Sequence, residues 1–115
     1  MVRKVKIGII QSKISDNTQS NIILAIKSIK KAASKKAKII CVPELFLSTY
    51  FCQTESHSNF KLAEKIPGRI TKIFSDLAKE LGVILILSLF EKKTSGFYHN
   101  TSIVINEVGK ILTKY

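Results

Sequence analysis

Val83-Ile84-Leu85-Ile86-Leu87-Ser88-Leu89-Phe90 is a run of eight residues with a single polar side chain. It reads as a strand, and strand side chains alternate between the two faces of a sheet. The run therefore sends apolar groups to both faces. A strand of this kind needs covering above and below.

Upstream, Gly82 sits where a helix would stop. The spacing of Ile70, Phe74, Leu77 and Leu81 predicts a helix over 70–81. Pro67 and Gly68 mark the turn before it. Residues 45–67 are the least regular stretch, with the aromatics Phe46, Tyr50, Phe51 and Phe60 and one helical turn expected near 60–63. A loop of that length in a small domain is usually functional or mobile. Residues 39–42 read as a short strand whose ladder Pro43 stops. Before it, Ile22, Ile26, Ile29 and Ala33 form the stripe of a helix reaching about Lys36, with Lys27, Lys31 and Lys35 on the other side. Ser15, Asp16 and Asn17 are its N-cap candidates. Residues 5–10, β-branched and nearly all apolar, predict a first strand buried on both faces.

Downstream, Thr94-Ser95-Gly96 makes a turn, 97–106 a strand, 107–109 another turn and 110–115 a last strand. The order is β-α-β-loop-α-β-β-β. Strands joined through helices should be parallel with right-handed crossovers. Those joined by tight turns should be antiparallel. The expected fold class is α/β: a mixed sheet with both helices on one face. Two helices cover one face only, so the chain is expected to be half of a larger sandwich.

Its 115 residues allow one domain, and 45% hydrophobic residues suit a globular one. The basic start followed by the short apolar run 7–10 lacks the features of a signal peptide. No apolar stretch approaches a membrane span. Cys41 and Cys52 form neither a disulfide framework nor a CxxC pair, so a reduced, cytoplasmic protein is expected. The net charge of +11 raises nucleic acid as a partner. Against that, the cations are almost all lysine and are spread along the chain instead of forming an arginine-rich stripe. Lys27, Lys30, Lys31, Lys35, Lys36 and Lys38 fit a solvated helix face.

Glu44 is the first candidate for chemistry. It follows a strand at the carboxyl edge of a parallel sheet, where open α/β sheets place ligands. A carboxylate set beside Val42, Leu45 and Phe46 suits a general base. On position alone, a solvated loop glutamate is the commoner case. Cys52 lies in an aromatic loop, and neither histidine is placed to activate it; an inert thiol is the better reading. Cys41, inside a strand, reads as a small buried hydrophobe. His57 and His99 lack the spacing of a metal pair. The five glycines are scattered and build no phosphate loop.

Together, several segments resemble one family. Lys6-Ile7-Gly8-Ile9-Ile10-Gln11 resembles the opening strand of the nitrilase superfamily of carbon–nitrogen hydrolases. Ile40-Cys41-Val42-Pro43-Glu44-Leu45-Phe46 is similar to its first catalytic motif. Tyr50-Phe51-Cys52-Gln53 with Glu55, Leu62-Ala63-Glu64, Ile66-Pro67-Gly68, Leu87-Ser88-Leu89-Phe90-Glu91-Lys92 and Tyr98-His99-Asn100-Thr101 resemble one branch, the N-carbamoylputrescine amidases.

The resemblance implies a four-layer αββα sandwich and a Glu-Lys-Cys catalytic set. Glu44 would take the proton from the cysteine thiol, and the thiolate would attack the carbamoyl carbon. The lysine would stabilise the oxyanion. Ammonia leaves, and water activated by the same glutamate then cleaves the thioester. N-carbamoylputrescine would give putrescine, carbon dioxide and ammonia. Tyr50, Phe51 and Asn100 are the implied substrate-binding residues. No metal or organic cofactor is implied. The implied partners are a small carbamoyl or amide substrate and, since family members commonly assemble, further copies; no membrane is implied.

In the family pattern Tyr115 matches the tyrosine that opens the lysine motif, and the lysine comes two residues later. The cysteine lies further on. Neither Cys41 nor Cys52 occupies its position, Lys114 is not the catalytic lysine, and Thr113 stands where glycine is frequent. The chain is thus expected to be an N-terminal part, inactive alone. A missing C-terminal half acting in trans, another amidase of the superfamily, a decayed fragment, and a basic nucleic-acid-binding module are the rival expectations.

Overall fold

A computed structural model describes residues 3–49, 62–94 and 96–115. Its elements are β1 (Ile7–Ile9), α1 (Thr18–Ser34), β2 (Ile39–Cys41), α2 (Arg69–Leu81), β3 (Ile84–Thr94), β4 (Phe97–Ile105) and β5 (Ile111–Lys114). The five strands form one sheet in chain order. β1, β2 and β3 run parallel, with Ile7 opposite Ile39 and Ile39 opposite Ile84. β3, β4 and β5 run antiparallel.

Local chemistry sets the helix ends. Of the three N-cap candidates Asn17 serves, its Oδ1 accepting the Ser20 N–H at 2.9 Å. α2 stops at Gly82, which takes a left-handed φ of 64° and donates its N–H to the Ala78 carbonyl. α1 stops two residues sooner than its lysine-rich pattern suggests, and Lys36 turns left-handed at φ 72°.

Both helices lie against the same face. From the strands, Ile40, Leu85, Leu87, Ile103 and Ile105 are fully buried there. They pack with Ile22, Ala25 and Ile29 of α1 and with Ile70, Phe74, Leu77 and Ala78 of α2 in one core. Gly8 brings β1 close under α1: a Cβ at that position would meet the Ala32 Cβ at 3.1 Å.

The opposite face follows from the register. Ile84 and Ile86 alternate with Leu85, and their neighbours Ile39, Cys41 and Val104 share that side. So do Ile7 and Ile9. Among the described residues no helix lies over them, and Ile7 and Ile9 are 60% and 81% exposed. This corrects the expectation for the first strand. It is three residues long, it is an edge strand, and it is buried on the helix side only.

A further pairing lies beyond the reach of local pattern. The Glu64 N–H donates to the Phe90 carbonyl and the Lys92 N–H to the Glu64 carbonyl, both at 2.8 Å. The chain thus rejoins β3 just past the end of β2. Of the helical turn expected near 60–63, Leu62 lies in a 3-10 turn, while 60 and 61 fall outside the described residues. No described helix is long and apolar enough to cross a membrane.

Candidate functional site

The turn after β2 is held from three sides. The Val42 N–H donates to the Ile86 carbonyl at 3.1 Å, extending the parallel pairing. Pro43 then offers no donor and the ladder ends. Leu45 adopts a left-handed φ of 49°, costly for a branched side chain and sustained here by its surroundings. Its side chain is buried, and its N–H donates to Ser88 Oγ at 3.0 Å. Phe46 meets Phe74 of α2 edge to face, with centroids 5.3 Å apart. The Leu47 carbonyl accepts Asn21 Nδ2 at 2.9 Å. Asn21 is itself buried on α1 and bonds Ser15 in both directions, giving Nδ2 to its carbonyl at 2.8 Å and taking its N–H at 2.9 Å.

Glu44 is the one residue of the segment 44–47 whose side chain leaves the core. It is exposed, and Asn100 of β4 donates Nδ2 to its Oε1 at 2.8 Å. The expectation that Val42, Leu45 and Phe46 surround the carboxylate is corrected. Those side chains face inward, because the left-handed turn at Leu45 sends its own side chain and that of Phe46 into the core. What meets the carboxylate is an amide.

Glu44 and Asn100 border a cleft of about 400 Å³ on the open face of the sheet, with Cys41, Ser88, Ser102 and Tyr115 also on its wall. The structure therefore brings together two of the four residues named from the sequence. Tyr50 and Phe51 lie outside the described residues, as do Cys52 and His57. His99 is exposed on β4. Cys41 is half-buried, less enclosed than its strand position suggested, because its side of the sheet is the open one.

One residue escaped the reading of the sequence. Glu91, 3% exposed, accepts Thr101 Oγ1 at 2.9 Å and Lys114 Nζ at 2.6 Å. The signal was present: 85, 87, 89 and 91 share one face, so a carboxylate at 91 must enter the covered side. Burial acts to raise its carboxyl pKa. The hydrogen bonds from Lys114 and Thr101, with the charges of Lys114 and His99, outweigh burial and hold it below the ordinary glutamate value. A lowered folded-state pKa stabilises the fold above the unfolded value of about 4.3 and ceases to do so as pH falls through the folded value. Urea midpoints taken through the acid range should therefore drop below about pH 4 in the native chain. In Glu91→Gln that part of the acid dependence should vanish.

Polar groups thus meet at the carboxyl ends of the parallel strands of an α/β layer, the edge at which open sheets of this class place ligands. A family model described as carbon-nitrogen hydrolase matches residues 6–115, and the chain belongs to that family. It is 37% identical over 112 residues to the Omega-amidase NIT2-B of Xenopus laevis, covering 97% of this chain and 39% of that protein. It is 34% identical over 103 residues to the N-carbamoylputrescine amidase of Solanum lycopersicum, covering 89% of this chain and 34% of that one. The carbon-nitrogen hydrolase from Helicobacter pylori G27 superposes with a TM-score of 0.90 at 32% identity, over 96% of this chain and 38% of that structure. An amidase from Nesterenkonia sp., at 21% identity and a TM-score of 0.73, shares the fold. The chain thus spans less than two fifths of the length of the curated relatives named here.

Proposed function

We propose that this chain supplies the general base and one wall of the substrate cleft of an amidase. The lysine and thiol come from polypeptide that packs on the open face, either as more of the same chain or in trans. The observation that supports this is the Glu44–Asn100 bond of 2.8 Å, set at the carboxyl edge of the parallel strands on a face over which no described helix lies. Glu44 takes the thiol proton, and the thiolate adds to the amide carbon to give a tetrahedral oxyanion, which a lysine stabilises. As the adduct collapses, Glu44 returns that proton to the leaving nitrogen, so ammonia departs and a thioester remains. Water then gives its proton to Glu44 and attacks the thioester, and Glu44 passes this proton to the departing thiolate. Asn100 holds one carboxylate oxygen, leaving the other to handle the proton; Tyr50 and Phe51 are substrate-binding residues by the family resemblance alone.

The preferred substrate is N-carbamoylputrescine, because segments such as Tyr98-His99-Asn100-Thr101 of β4 resemble that branch. An ω-amide is the second reading, carried by the 37% identity to an omega-amidase over 97% of the chain. The test joins or mixes the chain with the C-terminal segments of a carbon–nitrogen hydrolase and measures ammonia release from both substrates. Neither piece should act alone, and together they should release ammonia, faster from N-carbamoylputrescine. Association of the pieces without ammonia from any amide would reject the proposal.

A further inference from the structure

We infer that Glu91 is a positioning residue for the Glu44 cleft: from the covered side of the sheet it straps together the strands that present Asn100 and Tyr115 on the open side. The inference takes its functional meaning from the amidase reading, but its geometry stands apart from it. Glu91 lies on β3 opposite His99, while Lys114 lies on β5 opposite Ile103. The Lys114 side chain therefore reaches diagonally past β4 to Glu91, two strands away. On the way the carboxylate also takes the hydroxyl of Thr101, on β4. Both oxygens are engaged, one on each of the two neighbouring strands, so a shift of either strand end breaks a hydrogen bond to a buried charge.

The residues beside these anchors line the cleft. Asn100 precedes Thr101, and Tyr115 follows Lys114. Strand alternation puts each on the other face from its anchored neighbour. Tyr115 exchanges two backbone hydrogen bonds with Ser102, both at 2.8 Å. Beyond that pair, β5 holds β4 weakly. It has four residues and lies at the edge of the sheet, and its pairing is interrupted between Val104 and Ile105. The Glu91–Lys114 strap adds a side-chain tie to the backbone pair at its end. Glu91 never touches the cleft; it acts through the backbones of β4 and β5.

The test uses the isotopically labelled 115-residue chain and NMR, with no turnover required, so its outcome is separate from the fate of the amidase reading. In the native chain the Asn100 side-chain amide should be shifted by the Glu44 carboxylate, which Glu44→Gln identifies. In Glu91→Ala, well below its melting temperature, that shift should collapse and the Tyr115 amide should exchange at least about ten-fold faster. The Ile40 and Leu85 amides should keep their protection. Lys114→Arg should retain the native pattern. Should Glu91→Ala not fold, the neutral pair Glu91→Gln with Lys114→Met leaves no unpaired buried charge and should show the same local loosening. Unchanged Asn100 and Tyr115 signals would overturn the inference. So would a uniform loss of protection at Ile40, Leu85 and Tyr115 alike, which is the mark of general destabilisation.

Discussion

Glu44→Gln should lower ammonia release by about 10²–10⁴-fold in the enzyme completed with its lysine and cysteine segments, the range expected when a general base is lost. The replacement keeps shape and keeps an oxygen for Asn100 Nδ2 to donate to, so substrate affinity should change little. Stability should also hold, because the carboxylate is exposed while Leu45, Phe46 and Leu47 carry the burial of the turn. The effect belongs in kcat, as it does when an interaction made only in the transition state is removed. Steady-state ammonia assays with matched urea melts separate the two quantities. A fall in activity that tracked a fall in stability would make Glu44 a structural residue.

The second large effect contrasts two adjacent side chains. Leu85 is fully buried beneath the helices, whereas Ile86 faces the uncovered side. Leu85→Ala should cost about 2–5 kcal/mol, the transfer and cavity penalty of a core leucine. Ile86→Ala, at a position that is only partly buried, should cost less, about 1 kcal/mol, in the chain by itself. Once a second layer is bound, Ile86 becomes a core residue too, and its truncation should weaken that association by about 2–5 kcal/mol. Urea unfolding of the chain and titration with the completing polypeptide give the two numbers. Equal penalties in the chain alone would mean that both faces are already covered.

The elements that could be read from the sequence are those with local causes. The apolar run 83–90, the left-handed stop at Gly82 and the stripe Ile70-Phe74-Leu77 express themselves within a few residues of one another. The unpaired sheet face was legible for the same reason, since alternation along β3 needs no partner to be counted. What was missed depends on contacts distant in the chain. Glu64 rejoins β3 across 27 positions, and nothing in its own neighbourhood announces a bridge. Asn21 looks like a polar break beside an apolar stripe, yet it pins the turn that carries Glu44 through a bond to Leu47. The left-handed Leu45 has no glycine to signal it. As for the site, Glu44 stood out by following a strand, whereas Asn100, 56 residues away, entered only through the family resemblance. Glu91 was within reach of period-two counting, but its meaning needed Lys114 to be seen two strands away.

A half-site requires the face bearing Ile86 and Glu44 to be open in the chain alone. Cys41 sits on that face and reports on it directly. The measurement is the rate at which a small thiol-alkylating reagent modifies Cys41 in the Cys52→Ser chain, native against denatured. An open face predicts a native rate within about 30-fold of the denatured one. Slowing by about 10³-fold or more, as for a core thiol that reacts only through unfolding, would mean that the face is already closed and would contradict the half-site reading.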